Sequence, residues 1–201
     1  SDFQFSNQSG PEICVLSTKS ASAQVTFGYL LAKEVAGESG AREKTDQLSQ
    51  VLSQYLTLKN VRGIQKIARS LLKASGIFVL GRGLYFGTAR IAALNIKEAS
   101  YFHAEAFSAG ELKHGIIALI EEATPVIMFV PRNDAYMLNV AAEVQARGAS
   151  VIAIGYEDNE LFDEFIPMPE ASDPLLASVS SIIPCQLLAY YLSIQSGVNP
   201  D

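Results

Sequence analysis

Hydrophobic and polar positions change rhythm along this chain. Near the start, Asp2-Phe3-Gln4-Phe5 alternates polar and apolar residues, which predicts one short strand stopped by Gly10-Pro11. Such a strand needs a sheet formed elsewhere. Helical spacing follows. Ala21 to Ala36 runs mostly apolar, through Val25, Phe27, Tyr29, Leu30, Leu31 and Val35, with Ser17 and Thr18 placed to cap it and Gly37 to Gly40 to end it. Gln47 to Leu58 sets Leu48, Val51, Leu52, Tyr55 and Leu56 at helical spacing, and Val61 to Ala74 does the same with Ile64, Ile67, Ala68, Leu71 and Leu72.

The pattern then shifts to short apolar runs between glycines and prolines. Gly76 to Gly81, Pro125 to Pro131 and Ser150 to Gly155 read as buried parallel strands, and Leu161 to Pro167 as a short fourth strand at an edge. Helices are predicted between and after them, at Tyr85 to Glu98, Ala135 to Arg147 and Leu175 to Ser196, the last opened by Asp173-Pro174 and closed by Gly197. Strands alternating with helices imply right-handed crossovers and a parallel sheet covered on both faces. The body from about 76 to 196 is therefore a three-layer α/β domain, whose ligands are expected at the carboxyl ends of the strands, over Gly81-Arg82-Gly83 and the loop after Val130.

Composition narrows the function. The 201 residues are 49% hydrophobic and 18% charged, enough for a well-packed core. A net charge of −6 with no basic cluster argues against nucleic-acid binding. The two cysteines, Cys14 and Cys185, have no metal or redox spacing and read as small buried residues in a reducing compartment. No apolar run reaches about 18 residues, so no membrane span is expected, and the amino end does not read as a signal peptide. A cytoplasmic protein is the expectation.

Candidate chemistry concentrates in Asn95 to Gly115, which holds both histidines. Glu98, at a helix carboxyl end lined by Ile91, Ala92, Leu94 and Ile96, suits a base that moves a proton on carbon, or else is a solvated partner of Lys97. His114 suits ring opening near neutral pH, or simply marks a segment boundary. His103 and Glu105 lack the spacing of a metal motif, and no metal or cofactor is expected. Gly81, Arg82 and Gly83 form either a phosphate-binding turn or a tight strand-to-helix connection.

Taken in order, Gly-Pro-Glu-Ile at 10–13, Ser-Thr-Lys at 17–19, Gly-Arg-Gly at 81–83, Lys-Glu at 97–98, His-Ala-Glu-Ala at 103–106, Gly-Glu-Leu-Lys-His-Gly at 110–115 and Ile-Pro-Cys-Gln-Leu-Leu-Ala-Tyr at 183–190 resemble the isomerase part of the glutamine–fructose-6-phosphate aminotransferases, or glucosamine-6-phosphate synthases. That part holds two sugar-isomerase (SIS) domains, each a flavodoxin-like three-layer unit with a five-stranded parallel sheet. The resemblance places residues 1–40 at the last strand and closing helix of the first domain, with a helical linker, and 41–201 in the second. It implies that fructose 6-phosphate and ammonia become glucosamine 6-phosphate for amino-sugar biosynthesis. Glu98 would be the carbon base and His114 the ring-opening group, donated across a homodimer interface. Val15, Ser17 and Asn95 would contact the sugar. The implied partners are the sugar phosphate, a first SIS domain and a glutaminase domain of the same longer protein. The family carries a lysine where Asn95 stands, which leaves open a non-catalytic phosphosugar-binding domain or a sugar-phosphate deaminase or isomerase.

Overall fold

A computed structural model describes residues 4–200. Five parallel strands form one sheet in the order β2-β1-β3-β4-β5. They are β1 Ile77–Gly81, β2 Ala104–Ser108, β3 Pro125–Val130, β4 Ser150–Gly155 and β5 Glu164–Pro167. The helices are α1 Lys19–Val35, α2 Ala41–Tyr55, α3 Leu58–Leu71, α4 Leu84–Ser100, α5 Ala135–Gln145, α6 Ala177–Ser180 and α7 Ile182–Ser196.

Alternation along the strands divides the core in two. Ile77, Val79, Ile127, Phe129, Ile152 and Ile154 pack with α3, α4 and α7 on one face. Leu80, Val126, Met128, Val151 and Ala153 pack with α5 and the 3-10 turns at Ala109–His114 and Ile116–Leu119 on the other. The central strand β3 is buried at every position, as a parallel strand covered on both sides must be.

Three strands are legible as apolar runs and β5 as the short edge strand within Leu161 to Pro167; the remaining one, β2, lies inside the titratable stretch around His103 and Glu105. An edge strand whose Ala104, Ala106 and Phe107 are interrupted by Glu105 and ended by Ser108, it has no continuous apolar run to betray it. Helix α2 begins at Ala41, six residues before Gln47, because Gly40 in a left-handed conformation (φ 82°) starts it. The last helix is not continuous: a 3-10 turn at Pro174–Leu176 and the short α6 precede α7. Of the strand expected at 2–5, Asp2 and Phe3 lie outside the described residues, and Gln4 and Phe5 have irregular backbone. Phe5 instead lies 5.6 Å from the ring of Phe27 on α1. By length and composition Pro174–Ser196 is apolar enough to cross a membrane, against expectation, but 61% of its most apolar 18-residue window is buried in the domain, as in a core helix.

Helices α1 and α2 form an annex on α6, through Tyr29, Leu48, Leu176 and Val179. Its polar anchor is the buried Asp173, which accepts from Tyr29 Oη at 3.2 Å, from Lys33 Nζ at 3.2 Å and from Lys44 Nζ at 3.1 Å. Burial alone pushes this carboxyl up. The Leu175 amide and the two ammonium groups outweigh burial and hold it at about 2.

Candidate active site

Helix α4 starts at the carboxyl edge of the sheet, directly after β1, and runs back to the amino edge to feed β2. Its two ends therefore carry the two sets of candidates far apart. From Gly83 to Glu98 a helix rise of about 1.5 Å per residue spans roughly 22 Å.

The start of α4 is a close-packed turn. A Cβ on Gly81 would stand 2.2 Å from the Tyr85 carbonyl oxygen, so only glycine lets the first helical turn approach β1. Gly83 has φ +57°. The Tyr85 amide donates to Arg82 O and the Phe86 amide to Gly83 O, both at 3.1 Å, so these two first-turn donors are occupied. Arg82 Nη1 lies 3.6 Å from Asp134 Oδ1, and its guanidinium stacks 4.6 Å from the Tyr136 ring. This bridge crosses the point where strand order reverses, between β1 and β3. Beside it, Arg132 bonds Glu157 at 2.7 Å, pairs with Glu170, and stacks 4.8 Å from Tyr156. The loop after Val130 is marked by the sequence pattern, but the role of Arg132 is not, because its carboxylate partners follow β4 and β5. The Tyr85 and Tyr156 hydroxyls are both raised, chiefly by burial.

The far end of α4 is different. Asn95 is buried, with 2% of its surface exposed, and its Oδ1 has no hydrogen-bond partner. Glu98, one turn on and half-buried, sits beside it. Tyr101, left-handed at φ 61°, ends the helix. A buried amide oxygen without a donor costs about 1–3 kcal/mol.

His114 is exposed at the end of the 3-10 turn Ala109–His114. That turn packs Leu112 into the α5 face, and the neighbouring Lys113 Nζ pairs with Glu143 of α5 at 2.7 Å. His114 and Glu98 thus lie on opposite faces of the sheet, and one chain does not bring them together. Val15 and Ser17 are exposed, on either side of Leu16, which is buried in the core beneath α4 and α7. Ser17 Oγ contacts Ser20 Oγ at 2.6 Å. The expected Ser17/Thr18 side-chain cap of α1 is not formed. Glu12 takes its place and accepts from the Ser20 amide at 2.9 Å, Ser20 Oγ at 2.6 Å and Thr18 Oγ1 at 3.3 Å. These bonds, led by those from Ser20, hold its carboxyl below the usual range. The acidic residue of Gly-Pro-Glu, eight positions ahead of its partner Ser20, was the available signal.

A groove of about 1260 Å³ runs between α1 and α2 over Phe27, Leu30, Leu48 and Leu52, away from these polar candidates. Among the described residues, no group of three or more His, Cys, Asp or Glu is arranged to hold a metal ion.

Known proteins share both the sequence and the architecture. A family model described as the SIS domain matches residues 70–196. The isomerizing glutamine–fructose-6-phosphate aminotransferase of Caldanaerobacter subterraneus subsp. tengcongensis is 37% identical over 207 residues, covering 96% of this chain and 34% of its own length. That of Aquifex aeolicus is 35% identical over 209 residues, covering 100% of this chain and 35% of its own. The chain thus spans about a third of the length of the curated relatives it matches. Among solved structures, the C-terminal domain of glucosamine-fructose-6-phosphate aminotransferase from Francisella tularensis is 32% identical with a TM-score of 0.81, covering 96% of this chain and 58% of that one. Glucosamine-6-phosphate deaminase from Thermotoga maritima is 28% identical with a TM-score of 0.71, covering 95% and 56%. A match over most of the body, on a five-stranded parallel sheet between helical layers, means that this chain belongs to the SIS domain family.

Proposed function

We propose that the chain is the second SIS domain of a glucosamine-6-phosphate synthase, with residues 41–201 as that domain and α1 as the closing helix of the one before it. The observation that carries this reading is the similarity to the aminotransferases along essentially the whole chain, at 35–37% identity. In this reading His114, supplied by a partner subunit, moves the proton from the C2 hydroxyl to the ring oxygen as fructose 6-phosphate opens. Ammonia adds at C2 and water leaves. Glu98 then removes a proton from C1 and returns it to C2, which gives the aldose amine. The opposite-face placement of Glu98 and His114 supports a site shared between subunits. Val15, Ser17 and Asn95 complete the sugar contacts, and Gly81 to Gly83 act as a packing turn. The assembly required is a cytoplasmic homodimer with an upstream SIS domain and a glutaminase domain.

The test is Glu98→Gln in the full-length protein that carries this domain. Loss of roughly 10²–10⁴-fold in kcat with fructose 6-phosphate binding retained is expected for a general base. Turnover that survives removes Glu98 from the role. A second reading, a domain that binds phosphosugar without turnover, is favoured by Asn95, whose amide supplies no positive charge to an enolate-like intermediate. It predicts a ligand-dependent rise in Tm in a full-length protein without synthase activity.

A further inference from the structure

Helix α3 carries a charge pattern that the rest of the chain does not. From Gln47 to Lys97 there is no Asp or Glu, while eight of the 15 lysines and arginines fall there. Lys59, Arg62, Lys66 and Arg69 recur three and four residues apart along α3, and Lys73 continues the series just past its end. Helical winding gathers them on one exposed face, opposite Ile64, Ile67, Ala68 and Leu71, which are buried in the core with residues of the sheet and α7. No two of the cations are adjacent in sequence, so no basic run shows before the helix forms. Among the described residues one ion pair quenches this face, from Lys66 Nζ to Glu164 Oε1 of β5 at 2.9 Å. In a chain of net charge −6, such a stripe is a local attractor for anions.

A pocket of about 600 Å³ opens on the stripe, lined by Gln65, Lys66, Arg69 and Leu72 along α3 and its end, and by Gln195 in the last turn of α7. Gln195 is fixed there. Its Nε2 donates to the Gln65 carbonyl at 3.0 Å, which sets the way the amide faces, and its Oε1 is buried without a hydrogen-bond partner. The pocket thus combines a guanidinium with no carboxylate on it, an ammonium group, an apolar wall and an acceptor that lacks a donor.

We propose that this pocket between α3 and α7 binds a small phosphate monoester that also carries an alcohol group. The phosphate meets Arg69, whose planar fork donates two parallel hydrogen bonds to such an oxyanion, and Lys66, which adds a second positive charge. The alcohol donates to Gln195 Oε1 and removes the cost of leaving that oxygen unpaired. The volume is that of a small-molecule site. Concavity separates this ligand from a long polyanion, which would lie along all five cations and need no pocket. The site shares no residue with the one around Glu98 and His114 and does not rest on their roles.

Heteronuclear NMR titration of the 201-residue chain with glycerol 3-phosphate and with ribose 5-phosphate, at ionic strength held constant with chloride, tests it. A saturable shift is expected at the amides of 65–72 and at the Gln195 side-chain amide, with Kd below about 1 mM. Methyl phosphate, which keeps the ester and lacks the alcohol, should bind about tenfold more weakly, and Gln195→Leu should abolish that difference. Arg69→Gln should weaken binding at least about tenfold. Glu164→Gln frees Lys66 and should tighten it about threefold. Lys59→Gln, roughly 15 Å along the helix from Arg69, should change it less than about twofold. Absence of a saturable shift with either probe overturns the proposal, as does binding that survives unchanged in Arg69→Gln. Equal losses from Lys59→Gln and Arg69→Gln also overturn it, since they are the mark of a diffuse polyanion surface. These positions are on the surface, and the dispersion of each variant's spectrum shows that it is folded.

Discussion

The two ends of α4 are built to opposite rules. At its start, under the usual ligand edge of a parallel sheet, the space is filled: Gly81 packs against Tyr85, and Arg82 is held by Asp134 and Tyr136. At its finish, on the edge where such sheets seldom bind anything, a buried amide oxygen is left without a donor beside a half-buried carboxylate. The contrast teaches that fold-level expectation and side-chain chemistry point to different places in this molecule. A close-packed, satisfied turn contributes stability; a buried amide oxygen without a partner costs it.

Substitutions at the two ends sharpen that contrast. The largest separation is expected in turnover of the full-length protein: Glu98→Gln lowers kcat by roughly 10²–10⁴-fold, while Arg82→Gln changes it less than about tenfold. Equal losses from both would erase the distinction. Next comes Gly81→Ala, where a Cβ 2.2 Å from backbone forces α4 away from β1. Chemical denaturation should record a loss of about 3 kcal/mol, against a change near zero or a small gain for Gly87→Ala, whose added methyl meets nothing within 4 Å.

The annex provides a further comparison, because Asp173 is a polar cluster that is fully satisfied. Asp173→Asn should cost about 2 kcal/mol and speed hydrogen exchange in α1 and α2 more than in the sheet. Its carboxyl is depressed from 3.8 to about 2. Its contribution is therefore complete above about pH 4 and lost as pH falls toward 2, and a melting series in acid should show that loss in the native chain and not in the variant. The smallest effect is expected at Asn95. Asn95→Leu removes the orphan oxygen at similar volume and should raise stability by about 1 kcal/mol, with weaker sugar-phosphate binding in the full-length protein. A fall in stability would mean that the amide has a partner.

Periodicity alone exposes β1, β3 and β4 and most of the helices, because buried parallel strands are apolar throughout and core helices repeat every three to four residues; the edge strand β5 is marked by its short Phe165-Ile166 core before Pro167. Periodicity misses β2, where the apolar Ala104, Ala106 and Phe107 are interrupted by the exposed Glu105 and the strand follows directly on His103. The candidate residues Glu98 and His114 are visible as titratable groups between apolar runs, but their relation is not: a helix and a crossover place them on opposite sides of one sheet, and sequence distance carries no such information. The same limit explains Glu12 and Asp173. Each is an ordinary carboxylate in the chain, and becomes an anchor only when Ser20, or Lys33 and Lys44, are folded against it. Local pattern determined the class of fold and which side chains have usable chemistry, since these depend on residue type and spacing. Tertiary structure decided which groups meet, which are satisfied and which face is left uncovered, since these depend on contacts between segments that the chain keeps far apart.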